Sequence, residues 1–181
     1  MRNVAHLAFA FSILAACSGP GPKADDKALI MMGRITAMED SLFNNEVLDD
    51  RNAQALLDVY KAYATSFPTD SMAPEYLFRA AGLAAKSMGD APQGIRLYDR
   101  VISNYPDWKR IPDVFYLKAF TIDSELGQKG EAKKAYQQVI SMFPDHRFAQ
   151  DARRMMEYLD LTDEELIRKF QEAEQAQASD R

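Results

Sequence analysis

A ten-residue pattern that repeats near the middle of the chain restricts its fold more than any other feature. The pattern, Tyr-x-x-Val-Ile-Ser-x-aromatic-Pro-Asp, occurs at 98–107 and again at 136–145, so that Pro106 and Pro144 lie 38 residues apart. A weaker copy at 63–68 lies another 38 residues upstream. A constant period of about 20–50 residues is typical of solenoids, in which each unit is one small structural motif. The chain is therefore predicted to be a stack of similar units.

Apolar residues recur at steps of three and four along these units, which predicts amphipathic helices. Proline, glycine and capping residues separate the apolar stretches. The first expected helix begins at Asp25, and the second begins at 51 with Asp50 as its cap. The next five cover 73–88, 90–105, 112–127, 130–143 and 148–159. The eighth begins at a capping box at 162–165. No stretch alternates at period two for long enough to predict a strand. The predicted fold class is all-α, with about four helical hairpins.

Composition excludes several classes of protein. The net charge of −5 disfavours nucleic-acid binding, which usually needs a basic patch. One cysteine and two histidines provide no intrachain disulfide and no Cys/His metal cluster. No phosphate-binding loop, zinc-binding helix motif or nucleophile elbow is present, and His146 lies in a polar turn. We therefore expect no enzymatic activity, no cofactor and no metal.

The first seventeen residues have the layout of a secretory signal. Arg2 precedes an apolar run at 4–14, and Ala15 and Ala16 precede Cys17, the only cysteine. Such a run suits the core of a signal peptide and is shorter than the ~20 residues of a membrane-spanning helix. We expect cleavage before the cysteine. The alternative is an ordinary buried helix that ends in a cysteine by chance.

The sequence Leu-Ala-Ala-Cys at 14–17 resembles the lipobox of bacterial lipoproteins. The resemblance implies that Cys17 carries diacylglycerol, that the new amino terminus carries an acyl chain such as palmitate, and that Ser18 favours the outer membrane, facing the periplasm. Several acyl chains, at about 0.8 kcal/mol per buried methylene, form a stable anchor. The expected segments are a signal peptide at 1–16, a lipidated tether at 17–24, a helical repeat domain at 25–173 and a polar tail at 174–181.

The repeat units resemble the tetratricopeptide repeat (TPR). Its pattern of large, small and aromatic positions falls on Phe78, Ala81, Gly82, Ala85, Gly94, Tyr98 and Val101 in one unit, and on Tyr116, Ala119, Phe120, Asp123, Ala132, Tyr136 and Val139 in the next. Phe120 and Asp123 depart from that pattern. The resemblance implies a right-handed solenoid, with a degenerate unit at 25–68 and a polar cap at 147–173. Gly82 and Gly94 would allow close helix approach, and Tyr98 and Tyr136 would fill the space between hairpins.

In TPR proteins the first helix of each hairpin lines a groove that holds a peptide. The positions that would line it here are Tyr76, Arg79, Leu83, Lys86, Val114, Leu117, Thr121, Ser124 and Arg153. Arg79, Lys86 and Arg153 would suit an acidic or C-terminal carboxylate ligand. The alternative is that these are merely exposed positions between core stripes. Trp108 is either packed under its turn or available to a partner.

A lipobox followed by TPR units is also similar to periplasmic TPR lipoproteins of β-barrel assembly machines. The expected function is that of a lipid-anchored envelope scaffold for protein–protein interactions, with outer-membrane protein assembly as the suggested process. The scaffold is expected to be monomeric within a larger complex. The alternative is a periplasmic coordinator of cell division or peptidoglycan maintenance. That class is expected to carry a coiled-coil trimerisation segment, whereas residues 25–43 contain only two or three heptads.

Overall fold

The computed structural model describes residues 23–44 and 49–179, and every regular element in these residues is a helix. The elements are α1 (Ala24–Phe43), α2 (Asp50–Ser66), α3 (Ala73–Gly82) with a π-helical turn (Leu83–Ser87), α4 (Ala91–Asn104), α5 (Ile111–Ser124), α6 (Lys129–Met142), α7 (Arg147–Leu159) and α8 (Asp163–Ser179). The predicted signal peptide, Cys17 and most of the tether lie outside these residues. Among the described helices, none combines the length and apolarity that a membrane crossing requires.

Successive helices pack as hairpins, α1 with α2, α3 with α4 and α5 with α6. Neighbouring hairpins meet where α2 packs on α3 and α4 packs on α5, and α7 covers the last hairpin through α5 and α6. Helix α8 is joined to α7 by the ion pair between Lys169 and Glu157, at 3.2 Å. It continues to Ser179, past residue 174 where a polar tail was expected. The predicted all-α solenoid of hairpins is confirmed.

Side-chain caps define several helix starts. Asp90 accepts a hydrogen bond from the backbone N–H of Gln93 at 2.9 Å, as its position before α4 predicts. Thr162 and Glu165 exchange the two hydrogen bonds of a capping box at the start of α8. The prediction that Asp50 caps α2 is wrong. Asp49 has the extended backbone of a cap and accepts from Asn52 N–H at 2.8 Å, so that Asp50 is already helical.

The third helix departs from the regular helix expected over 73–88. Its last part is a π-helical turn, in which three consecutive residues, Leu83, Ala84 and Ala85, are buried. Three neighbours on a regular helix span about 200°, too wide for one core stripe. All three are buried here because the turn packs against both α2 and α4. Gly89, with a φ of +68°, then ends the element.

The two glycines predicted to permit close helix approach behave differently. A Cβ at Gly94 would lie 2.5 Å from the Cβ of Ala85 and 2.9 Å from the carbonyl oxygen of Ala81, so this approach is confirmed. A Cβ at Gly82 would meet only the hydroxyl of Tyr98, at 3.9 Å. The prediction for Gly82 is wrong, because the closest approach of α4 falls on Ala81 and Ala85, on either side of Gly82 in the chain.

Tyr98 and Tyr136 are buried between helices, as predicted. The hydroxyl of Tyr136 donates to Asp123 Oδ2 at 3.2 Å. This bond accounts for Asp123, one of the two departures from the TPR pattern, because a buried phenol needs an acceptor. The other departure, Phe120, stacks on Tyr116 with ring centroids 6.4 Å apart.

Candidate functional site

The first helices of three consecutive hairpins are joined by a continuous chain of ion pairs, here called the ladder. Arg79 of α3 binds Glu39 of α1 at 2.7 Å and Glu75 of its own helix at 2.9 Å. Arg110, just before α5, binds the other oxygen of Glu75 at 2.9 Å and Asp113 at 2.9 Å. The ladder therefore alternates in sign from α1 to α5 and contains three carboxylates and two guanidinium groups.

Both carboxylates that pair with Arg79 have a further partner, Tyr60 for Glu39 and Arg110 for Glu75. The hydroxyl of Tyr60 in α2 donates to Glu39, and burial, together with that carboxylate, raises the pKa of Tyr60. Burial opposes the charge of Arg79, but its hydrogen bonds to Glu39 and Glu75 raise the pKa of the guanidinium above its usual value. Both arginines of the ladder are thus charged and already paired with carboxylates of the same chain.

The predicted groove residues do not form one exposed surface. Tyr76, Leu83, Thr121 and Val114 are buried. Tyr76 packs between Tyr60 and Tyr63, and Thr121 donates to the carbonyl oxygen of Leu117 at 2.8 Å. Leu83 is buried in the π-helical turn at the floor of a depression that Arg79 also lines. These four side chains contribute to the core, and Leu117 is half-buried.

The predicted polar groove residues remain at the surface but lie in different surroundings. Lys86 is 73% exposed and pairs with Glu125 at 3.1 Å. Arg153, on α7, lines a shallow depression between α6 and α7, and Ser124 is exposed at the end of α5. Arg79 is in the ladder. An acidic ligand at Arg79 would have to displace Glu39 or Glu75, so the predicted set of three free cations is not assembled.

A large concavity in the described residues lies between two turns that connect successive hairpins, and we call it the turn cleft. It has a volume of about 1000 Å³. One wall comes from the turn between α2 and α3 and the other from the turn between α4 and α5. The apolar side chains of the lining are Pro68, Met72, Pro74, Tyr105, Pro106 and Trp108.

Trp108 is packed under its turn and is also partly accessible at the turn cleft. Its indole packs edge-on against Phe78, with ring centroids 5.7 Å apart, and is half-buried. The guanidinium of Arg110 lies 4.3 Å from the Phe78 ring and 5.6 Å from the Trp108 ring, so the ladder also supports the indole from one side. The remaining surface of Trp108 lines the turn cleft. The residue is therefore both a packing element and an accessible one.

Sequence reasoning missed Tyr105 as a possible binding residue and Glu39 as the partner of Arg79. Tyr105 carried a signal, since it precedes the proline of the repeated pattern and adjoins Trp108. Glu39 carried no such signal, because its partner is 40 residues away on another helix.

His146 caps α7, where its Nδ1 accepts from the N–H of Phe148 at 3.3 Å. In residues 23–44 and 49–179, no three metal-binding side chains lie close enough to hold an ion.

Comparison with known families identifies the hairpins around the turn cleft. Residues 75–107 and 113–146 match the model of the tetratricopeptide repeat family. The first segment covers most of the α3–α4 hairpin, and the second covers the α5–α6 hairpin apart from its first two residues. A comparison with curated proteins found no match. The chain thus contains TPR units, which are typical of scaffolds that bind other proteins.

Proposed function

We propose that this protein is a lipid-anchored scaffold of the cell envelope, without catalytic activity, that holds partner proteins in outer-membrane protein assembly. The observation that carries the proposal is the pair of TPR hairpins on a chain whose residues 14–17 resemble a lipobox. The hairpins supply a surface for protein partners. The acylated cysteine would hold that surface at the periplasmic face of the outer membrane.

The anchor is tested by changing Cys17 to alanine in cells that process lipoproteins. We expect an uncut precursor without incorporated palmitate, because no thiol is left to receive the diacylglycerol. The control is Ala16→Gly, which keeps a small residue before the cysteine and should be processed normally. Release of a normally cleaved, soluble domain from Cys17→Ala would contradict the lipobox.

The scaffold role is tested by crosslinking in intact cells, followed by affinity capture and mass spectrometry. We expect recovery of β-barrel assembly components, and a reduced yield for Lys86→Glu, which reverses an exposed charge beside the first-helix face. Lys134→Glu is a matched control, because Lys134 is 75% exposed and pairs with Glu131 on a second helix. Recovery of division or peptidoglycan proteins would favour the coordinator function. A yield no higher than that of Cys17→Ala would contradict an anchored scaffold.

A further inference from the structure

We propose that the turn cleft binds an extended, proline-rich segment of a partner protein in which basic residues flank the prolines. This inference rests on the proposed scaffold function and assigns one of its binding sites. The site lies mainly on the turns between hairpins, and it includes Arg79 from the first-helix positions that the sequence suggested.

The apolar lining of the turn cleft suits a polyproline II helix. Tyr105 and Trp108 provide aromatic rings on one wall, and Pro68 and Met72 provide accessible apolar surface on the other. Aromatic-lined grooves of this kind bind proline-rich segments, since such segments are already extended and lose little conformational entropy on binding. The walls are held by the packing of Trp108 on Phe78 and by backbone hydrogen bonds within each turn.

The polar groups of the two aromatic residues also match such a ligand. Within the described part of the chain, neither Trp108 Nε1–H nor the Tyr105 hydroxyl forms a hydrogen bond, and the only buried side-chain polar atom without a partner there is the hydroxyl of Tyr63. Both groups of the cleft therefore reach solvent. Proline has no N–H, and a polyproline II backbone leaves its carbonyl oxygens unpaired. Two free donors in an apolar cleft thus complement a ligand that offers acceptors.

The charges around the turn cleft favour basic flanking residues. The ladder beneath it has one more carboxylate than guanidinium groups. At the rim, Asp70 and Asp107 add two carboxylates, and Lys109 adds one cation. Asp107 is exposed and forms no ion pair with any residue that the structure describes. Arg79 and Arg110, which also line the cleft, are both paired with carboxylates of the ladder, so the unpaired charge at the rim is net negative. Arginine or lysine beside the prolines is therefore attracted, and glutamate is repelled.

The next turn of the array provides matched controls. In the repeated pattern, Asp145 occupies the position of Asp107, and His146 occupies the position of Trp108. The imidazole of His146 is used as the cap of α7, and Phe143, the counterpart of Tyr105, packs on Phe115 at 5.4 Å. Asp145 is exposed, as Asp107 is, but does not line the turn cleft.

The direct test uses the fluorescence of Trp108, the only tryptophan in the chain. The full-length protein in detergent is titrated with an unlabelled peptide of six prolines that has two arginines at each end. We expect a saturable change in the emission of Trp108. A glycine–serine peptide with the same arginines should give at most a tenth of the affinity, and a peptide with glutamates in place of the arginines should also bind more weakly.

The binding residues are then tested with a fluorescein-labelled copy of the arginine peptide and anisotropy. Trp108→Phe and Tyr105→Phe keep a ring but remove the donor, and each should weaken binding by about three- to tenfold. Asp107→Asn should reduce the preference for arginine over glutamate flanks, whereas Asp145→Asn should leave it unchanged. Circular dichroism spectra and melting temperatures that match those of the unmodified protein show that each variant is folded.

Several results would overturn the inference. Equal binding of the proline and glycine–serine peptides would show attraction by charge alone, and equal effects of Asp107→Asn and Asp145→Asn would place the contact elsewhere. A change in Trp108 emission with protein concentration, without peptide, would show that a second copy fills the cleft. If the peptides fail while capture in cells succeeds, the cleft proposal falls and the scaffold proposal stands.

Discussion

Tyr60 and Tyr63 lie on the same helix and are both buried, but their hydroxyl groups have different surroundings. Tyr60 donates to the carboxylate of Glu39. The hydroxyl of Tyr63 has no partner at hydrogen-bond distance and angle among the described residues, and burial, with a weak hydrogen-bonding interaction with Asp70, raises its pKa. A buried hydroxyl without a partner costs free energy, whereas a bond to a charged group is stronger than average.

Phenylalanine substitutions at these two positions should therefore differ. Tyr60→Phe is expected to lower the free energy of unfolding by about 1–3 kcal/mol, because it removes a bond to a carboxylate. Tyr63→Phe is expected to leave it unchanged or to raise it slightly, because it removes an unpaired group. Urea unfolding followed by circular dichroism measures both. Equal losses would show that both hydroxyls are satisfied.

The glycines of the third and fourth helices allow a second comparison of single residues. Gly94→Ala should lower the free energy of unfolding by about 1–3 kcal/mol, because the new methyl group collides with Ala85 and with the carbonyl oxygen of Ala81. Gly82→Ala has room for its methyl group and should be neutral or stabilising by up to about 1 kcal/mol, through higher helix propensity. Thermal unfolding of both variants checks this order. A larger loss at Gly82 would contradict the packing described for α3 and α4.

At the scale of the element, the start of α2 shows what a residue pattern can and cannot locate. Two adjacent aspartates precede this helix, and either could cap it. The backbone decides between them, since only Asp49 is extended and has its side chain beside the N–H of Asn52. Asp50, in the first turn, is left to interact with the helix dipole.

Alanine substitutions should separate these two roles. Asp49→Ala is expected to cost about 1 kcal/mol of unfolding free energy through loss of the cap. Asp50→Ala should cost only about 0.3–0.5 kcal/mol, through the weaker charge–dipole interaction. Hydrogen exchange of the first turn of α2 should accelerate in Asp49→Ala only. Faster exchange in Asp50→Ala alone would move the cap to Asp50.

At the scale of the whole molecule, buried tyrosines connect the hairpins and make stability depend on alkaline pH. Burial raises the pKa of Tyr98 to about 12 and also raises the pKa of Tyr60, Tyr63 and Tyr136. An unfolded tyrosine ionises near pH 10. The stabilising contribution of Tyr98 is therefore complete below pH 10 and is lost as the pH rises towards 12.

The Tyr98→Phe variant tests this pH dependence. Between pH 10 and 11.5 the free energy of unfolding should fall by about 1.5 kcal/mol less than in the unmodified protein, because the phenol that ionises only on unfolding is gone. Urea unfolding at a series of pH values measures the difference. The matched variant Tyr158→Phe changes a partly exposed tyrosine on α7, and it should retain the original slope. Identical slopes for the unmodified protein and Tyr98→Phe would contradict the assignment.

The sequence by itself determined the features that depend on neighbours within a few turns of the chain. The 38-residue period, the helix positions, the caps at Asp90 and Thr162, the close approach at Gly94 and the burial of Tyr98 and Tyr136 could all be predicted. Each depends on hydrophobic periodicity, a local hydrogen bond or a position in the repeat. These signals lie close together in the sequence, so they can be recognised without knowing how the hairpins are placed.

Only the tertiary structure decided which surface is accessible. The pairing of Arg79 with Glu39 spans 40 residues, and the turn cleft combines Pro68 with Tyr105 and Trp108 from another turn. The burial of Leu83 depends on the packing of its turn against α2 and α4. Such contacts arise from the distance and rotation between packed helices, which the residue pattern of a single helix does not specify. The repeat pattern therefore predicts the framework, whereas the packing of the hairpins decides which cations are paired and where a partner can bind.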